Sequence, residues 1–216
     1  MNCLPDRLLI VTDRHQALRP LPAIAAEILA AGAKWIWLRD RDLAAGERAA
    51  LATELMHLAR QAKGALSIGG DVELALRLQA DGVHLGDAPL IPAARRILGK
   101  GALIGLSAHS VDDVRQAAEA GADYACLSPI FSTPSKPGYG PPLGAAAIAA
   151  AARLGIPIVA LGGICTSRVT ECMAAGASAV AVMGEVMRAT DPAQATAELL
   201  GAIEAVSGAG SLRAIG

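Results

Sequence analysis

A chain of 216 residues with 53% hydrophobic but only 2% aromatic content has enough material for one compact domain, whose core must be built from Ala, Val, Ile and Leu. Its net charge of -1, with basic and acidic residues interspersed, supplies no long-range field for a nucleic-acid backbone or an anionic membrane, so the partner expected is a small molecule. No apolar run reaches the roughly 18 residues of a membrane span, because Lys, Arg, Asp or Gly interrupts each one, and the positive mean hydropathy reports alanine-rich helices.

Along the chain, short apolar runs alternate with longer alanine-rich stretches, beginning with Leu8 to Thr12 and Pro22 to Ala31. That rhythm is strand then helix. Further strand-like runs follow at Trp35 to Leu38, Ala65 to Ile68, Gly82 to His84, Leu103 to Ser107, Tyr124 to Ser128, Pro157 to Leu161 and Ala179 to Met183, which makes eight. Four helical stretches end at Ala31-Gly32-Ala33, Ala80-Asp81-Gly82, Ala120-Gly121-Ala122 and Ala175-Gly176-Ala177, where glycine is expected to take the left-handed stop.

Eight such units in this length average roughly 27 residues each, so a closed, compact (β/α)8 TIM barrel in the α/β class explains the economy better than an open doubly wound sheet. No GxGxxG follows the first run, as a dinucleotide fold would require. The longest connection, Pro129 to Leu143, is rich in Pro, Gly and Ser and reads as a lid or ligand clamp. Residues 1–216 read as a single barrel domain, with 207–216 a frayed tail. Cys3, Cys126, Cys165 and Cys172 include no CxxC pair, and the first residues lack an export-signal pattern, so the expectation is a reduced, cytoplasmic protein. A homo-oligomer is compatible with the sequence, which says nothing further of assembly.

In a barrel of this kind chemistry sits just after the strands. Gly162-Gly163 follows the seventh run, with Thr166 or Ser167 expected to cap the next helix, and Met183-Gly184 follows the eighth. Glycines at one mouth alone usually make tight turns. Glycines after both strands point instead to bare N–H groups binding a phosphate. Arg39 and Arg41 follow the second run and share a side if the strand continues; they either grip one anion or form a solvated pair. Lys136, with Thr133 and Ser135, places a cation and two hydroxyls on the long loop. His84, inside the fourth run, reads as a hydrogen-bonded core residue. His109, beside Ser107, either reaches ligand as a proton carrier or caps the helix starting near Ser110. Asp71 and Asp87 follow the third and fourth runs and together could hold Mg2+, although Asp71 is equally placed to cap a helix.

Asp71-Val72-Glu73-Leu74-Ala75-Leu76, Ala80-Asp81-Gly82-Val83-His84-Leu85-Gly86 and Gly105-Leu106-Ser107-Ala108-His109-Ser110 occur in order, followed by Gly121-Ala122-Asp123-Tyr124, Pro129-Ile130-Phe131-Ser132-Thr133-Pro134-Ser135-Lys136 and Ala160-Leu161-Gly162-Gly163-Ile164. These runs resemble the thiamine-phosphate synthase family, within the wider group that includes TenI-like thiazole tautomerases, over nearly the whole barrel. The resemblance implies a reaction in which the nitrogen of a thiazole phosphate attacks the methylene of an aminopyrimidine diphosphate and expels pyrophosphate, with Mg2+ and fixed cations taking up the charge. By position, Arg39, Arg41, Ser107 and Lys136 resemble groups around the pyrimidine diphosphate, whereas Thr133, Ser135, Gly163, Met183 and Gly184 resemble those holding the thiazole phosphate.

Departures from the pattern cluster in one half. Trp37 stands where the synthases carry glutamine, and Gly69-Gly70-Asp71 stands where they carry Asn-Asp-Asp. Their second metal-binding aspartate falls near Pro89, with Asp87 as a shifted substitute, and their lysine after the second strand is Arg41. The tautomerase histidine after the sixth strand falls at Pro129. The resemblance therefore implies a thiamine-pathway protein that keeps thiazole-phosphate binding, with weak or lost coupling. Alternatives are a tautomerase-like isomerase with His109 as proton carrier, and a non-catalytic binder. Ribulose-phosphate epimerases and tryptophan-pathway isomerases share glycine pairs but lack the Ser-Ala-His and Thr-Pro-Ser-Lys runs.

Overall fold

The computed structural model describes residues 3–133 and 141–212. Eight strands, β1 (Leu8–Val11), β2 (Trp35–Leu38), β3 (Ala65–Gly69), β4 (Gly82–Leu85), β5 (Leu103–Ala108), β6 (Tyr124–Leu127), β7 (Ile158–Leu161) and β8 (Ala179–Val182), pair in parallel as a closed barrel. Strand ends differ from the sequence reading by one residue at most. The covering helices are α1 (Leu21–Ala30), α2 (Ala45–Gln61), α3 (Val72–Leu78), α4 (Ile91–Leu98), α5 (Val111–Glu119), α6 (Gly144–Ala152), α7 (Thr166–Ala174), the short α8 (Gly184–Met187) and α9 (Pro192–Leu212). Helix α9 continues into the 207–216 segment that sequence alone reads as frayed. No helix of the described residues is long and apolar enough to cross a membrane.

Strand alternation sorts the apolar residues into two cores. Ile36 and Leu38 of β2 face the helices with Ile10, Leu66 and Ile68, whereas Trp35 and Trp37 face the barrel axis with Leu9, Val11, Tyr124 and Cys126. Rings fit inside so small a barrel only where neighbours are minimal. A Cβ on Gly105 would lie 2.1 Å from Tyr124 Cζ, and one on Gly82 would lie 2.3 Å from the Leu103 carbonyl oxygen.

Three of the four expected glycine stops hold, with φ of 110° at Gly32, 86° at Gly121 and 102° at Gly176. The fourth does not. Gln79, at φ 52°, takes the left-handed cap of α3, and Gly82 is instead a strand residue. At the barrel floor, aspartates catch backbone N–H groups of neighbouring strands: Asp81 accepts from Leu66 N at 2.8 Å, and Asp123 accepts from Ile104 N at 2.8 Å and from Arg95. Those bonds satisfy donors that would otherwise be buried without a partner.

The long connection after β6 is anchored at both ends. Ile130 N and Phe131 N donate to the Leu161 and Gly162 carbonyls at 2.9 Å, and Leu143 N donates to Pro129 O at 2.9 Å. Ser135 and Lys136, two of the expected site residues, lie outside the described residues.

Replacing Gly105 with Ala would drive a methyl into the Tyr124 ring. The variant is expected to lose about 1–3 kcal/mol, read as a lower urea midpoint; an unchanged midpoint would show that the axis has slack.

Candidate active site

Two helix starts meet above β7 and β8. Gly162 and Gly163 adopt φ of 99° and 63°, and a Cβ on either would collide with the β6 loop, 2.7 Å from Pro129 Cα and 2.5 Å from Ser132 O respectively. Only glycine lets that loop close down on the strand mouth. The expected cap from Thr166 or Ser167 is not made: both lie inside α7, whose N-cap is Cys165 with no side-chain cap bond. Met183 at the N-cap of α8 also makes none. First-turn N–H groups left without a side-chain cap, added to the helix dipole, favour an anion. Gly163, Thr133, Met183 and Gly184 line one cavity of about 380 Å³ that these starts border.

Two arginines unnoticed in the sequence border the same cavity. Arg168 donates to Gly163 O at 2.5 Å and lies over the Phe131 ring at 4.6 Å. Arg188 donates to Gln16 Oε1 and begins a polar belt around the mouth, for Gln16 donates to Asp13 at 2.6 Å and Asp13 faces Arg39 at 3.6 Å. Each arginine stands four or five residues beyond a mouth glycine, Arg168 in the first turn of α7 and Arg188 at the C-cap of α8, and that spacing is the signal that could have found it.

Arg39 and Arg41 do not share a strand face, because β2 ends at Leu38. They meet across a second, wider cavity of about 840 Å³, contiguous with the first through Arg39, Ser107 and His109. Its carboxylates already have partners: Asp40 accepts from Thr12 Oγ1 at 2.6 Å and Arg14 N at 2.7 Å, and Asp42 accepts from Arg14 and His15. Those two bonds hold the Asp42 carboxyl well below the usual carboxylate range.

Ser107 is held from below. His84 is fully buried, with Nε2 3.0 Å from Ser107 Oγ and Nδ1 2.9 Å from the Tyr124 hydroxyl, while Trp35 Nε1 donates to Ser67 Oγ at 3.0 Å. One assignment satisfies both ring nitrogens. The Tyr124 hydroxyl donates to His84 Nδ1 and His84 Nε2–H donates to Ser107, whose own hydrogen is left for the cavity. Burial, with the positive Arg41 nearby, pushes the His84 pKa down to about 3, so the ring stays neutral. His84 is thus a core residue, as its sequence context implies, but one that touches the site.

His109 is not the helix cap. Ser110 caps α5, accepting from Asp113 N at 3.0 Å, while His109 Nδ1 donates to Ser128 O at 2.8 Å and the ring lines both cavities. A carbonyl can only accept, so in this bond the proton sits on Nδ1.

The expected Mg2+ pair does not form. Asp71 caps α3 through Leu74 N at 2.9 Å and pairs with the buried Arg48 at 3.2 Å. Asp87 is exposed and lines neither cavity. Among the described residues, no group of three or more His, Cys, Asp or Glu could hold a metal. Mg2+ needs only one or two carboxylates beside a phosphate, but Asp71, the carboxylate nearest the end of β3, already has Oδ1 engaged by Leu74 N and Oδ2 by Arg48, which makes a poor donor set for that ion.

Comparison with known proteins matches residues 8–186 to the family model described as thiamine monophosphate synthase. The thiamine-phosphate synthase of Roseiflexus sp. is 40% identical over 194 residues, spanning 88% of this chain and 82% of that one. That of Haloarcula marismortui is 38% identical over 204 residues, spanning 92% and 97%. In three dimensions, thiamine phosphate pyrophosphorylase from Pyrococcus furiosus superposes with a TM-score of 0.83 at 31% identity, over 93% of this chain and 96% of that one.

A histidine whose folded pKa lies below its ordinary 6.5 binds its proton more readily when unfolded, so its contribution to stability is complete above about pH 6.5 and is lost as pH falls toward about 3. His84→Gln, which cannot titrate, is expected to flatten that part of the stability–pH curve measured by chemical denaturation. A variant curve parallel to the parent's would show that His84 is not the source.

Proposed function

This chain belongs to the thiamine monophosphate synthase family, and on that footing we propose that it binds a thiazole phosphate at the α7 and α8 starts and works in thiamine biosynthesis with a much weakened coupling step. One observation carries the reading: two helix starts without side-chain caps border one cavity, backed by glycines that no larger residue could replace. A phosphate there would accept from backbone N–H groups, with Arg188 at its edge and Thr133 beside it. The thiazole ring would then extend toward Ser107 and His109.

Coupling is the weaker part of this reading. Synthases of the family use Mg2+, and the carboxylates present do not fit that ion. What the chain can supply at the reacting end is a serine hydroxyl aimed by His84, the His109 ring held through Nδ1, and the guanidinium groups of Arg39 and Arg41. Lys136 and Ser135, outside the described residues, complete the set by resemblance. The cytoplasm is the compartment proposed, supported by four cysteines that form no disulfide.

A tautomerase-like isomerisation with His109 as the proton carrier is the second reading, favoured by the fixed tautomer of that ring. It predicts that His109→Asn abolishes isomerisation of the thiazole carboxylate phosphate, and an unchanged rate would remove it.

Calorimetric titration with thiazole phosphate tests the first reading. Binding should be measurable, and Arg188→Ala should weaken it about tenfold through loss of a charge-assisted contact. No binding by the parent chain would overturn the proposal. Coupling assayed with Mg2+ should run below the ordinary enzyme range of about 1–1000 per second; turnover inside that range would refute the weakened step.

A further inference from the structure

The end of β3 contributes no side chain to the mouth of the barrel, and two side chains from the β2 side occupy its place. A Cβ on Gly69 would lie 2.8 Å from Trp37 Nε1, and Trp37 is itself stacked on His84 with ring centroids 3.8 Å apart. Its Nε1 is buried and has no hydrogen-bond partner. Trp37 and Gly69 are therefore one feature: the indole fits only because the strand end is bare. Gly70 repeats the arrangement. At φ 71°, its Cβ would lie 3.0 Å from Arg41 Cζ and 3.1 Å from Arg41 Nε, so the guanidinium lies directly against the glycine backbone. Arg41 stays exposed at the mouth, and its charge adds to burial in opposing protonation of His84.

A carboxylate at position 70 would occupy the volume that Arg41 fills, and a metal held there would meet a cation. The next residue, Asp71, is engaged by Leu74 N and Arg48. Positive charge at this mouth comes instead from Arg39 and Arg41, which both line the cavity of about 840 Å³. Guanidinium forks match pairs of phosphate oxygens and remain charged at every working pH.

We propose that the β2–β3 mouth is a metal-independent diphosphate site, in which Arg41 laid over Gly70, together with Arg39, does the work of a divalent cation. The proposal rests on the reading that thiazole phosphate occupies the neighbouring cavity; the resemblance already implies a diphosphate as the second ligand, and what is added is its retention without metal. No reader of a pyrimidine ring is required, since Trp37 fills the volume beside Gly69.

The test titrates inorganic pyrophosphate into the full chain in buffer containing EDTA, with thiazole phosphate titrated separately. Pyrophosphate should bind without metal, and Arg41→Ala should weaken it about tenfold or more. Gly70→Asp, which displaces the guanidinium and supplies a carboxylate, should lose binding in EDTA and recover part of it with Mg2+. Parent binding that needs Mg2+, or an Arg41→Ala affinity equal to the parent's, would overturn the proposal. If thiazole phosphate binds and pyrophosphate does not, this inference alone fails; if neither binds, the site reading fails with it. Unchanged thiazole-phosphate binding by both variants would show that they fold.

Discussion

A histidine sealed inside a barrel must stay neutral and still find partners for both ring nitrogens, and the mouth of this molecule is organised around how His84 does so. Tyr124 below and Ser107 above take its two nitrogens, Trp37 covers its face, and Gly105 leaves room for the tyrosine ring. The chain has few rings, yet Trp35, Trp37 and Tyr124 are all on this axis. Shifting any member would leave a buried donor or acceptor unpaired, which costs more than the bond itself contributes. The position of Ser107 at the cavity floor therefore depends on a hydrogen-bonded column that begins well below the site.

From that floor the mouth divides into two unlike halves. Above β7 and β8 the backbone does the work: glycines in the left-handed region bring the β6 loop close and leave helix starts open toward the cavity. Above β2 and β3 the side chains do it, with Trp37 and Arg41 crossing to cover Gly69 and Gly70. Backbone amides hold an oxyanion through geometry and dipole, whereas guanidinium groups hold one through charge and fork. In this account the first half selects a monophosphate and the second accepts a larger anion without metal. Arg39 joins them, tied through Asp13 and Gln16 to Arg188.

Strand positions were legible because they depend on period and composition alone, and the barrel followed from the number and economy of the units. The failures were about three-dimensional neighbours. Gln79 took a stop expected of a glycine because α3 ends before the Ala80-Asp81-Gly82 run, and Gly82 is small for the sake of Leu103 on the next strand. Thr166 and Ser167 look like caps in sequence, but the helix already begins at Thr166, with Cys165 as its N-cap. Arg39 and Arg41 approach one cavity through the loop beyond β2, not through strand alternation. Asp71 and Asp87 follow successive strands, yet one is engaged by α3 and Arg48 while the other is exposed and lines neither cavity. The resemblance exposed the departures at Trp37, Gly69 and Gly70 one at a time; only the packing shows that they are linked.

The account stands most directly on where a phosphate settles. Diffraction from crystals soaked with thiazole phosphate should show the phosphorus atom in reach of the Gly163 and Gly184 amides, with the ring directed toward Ser107. Density for that group anywhere else on the barrel, or none at a saturating soak, would contradict it.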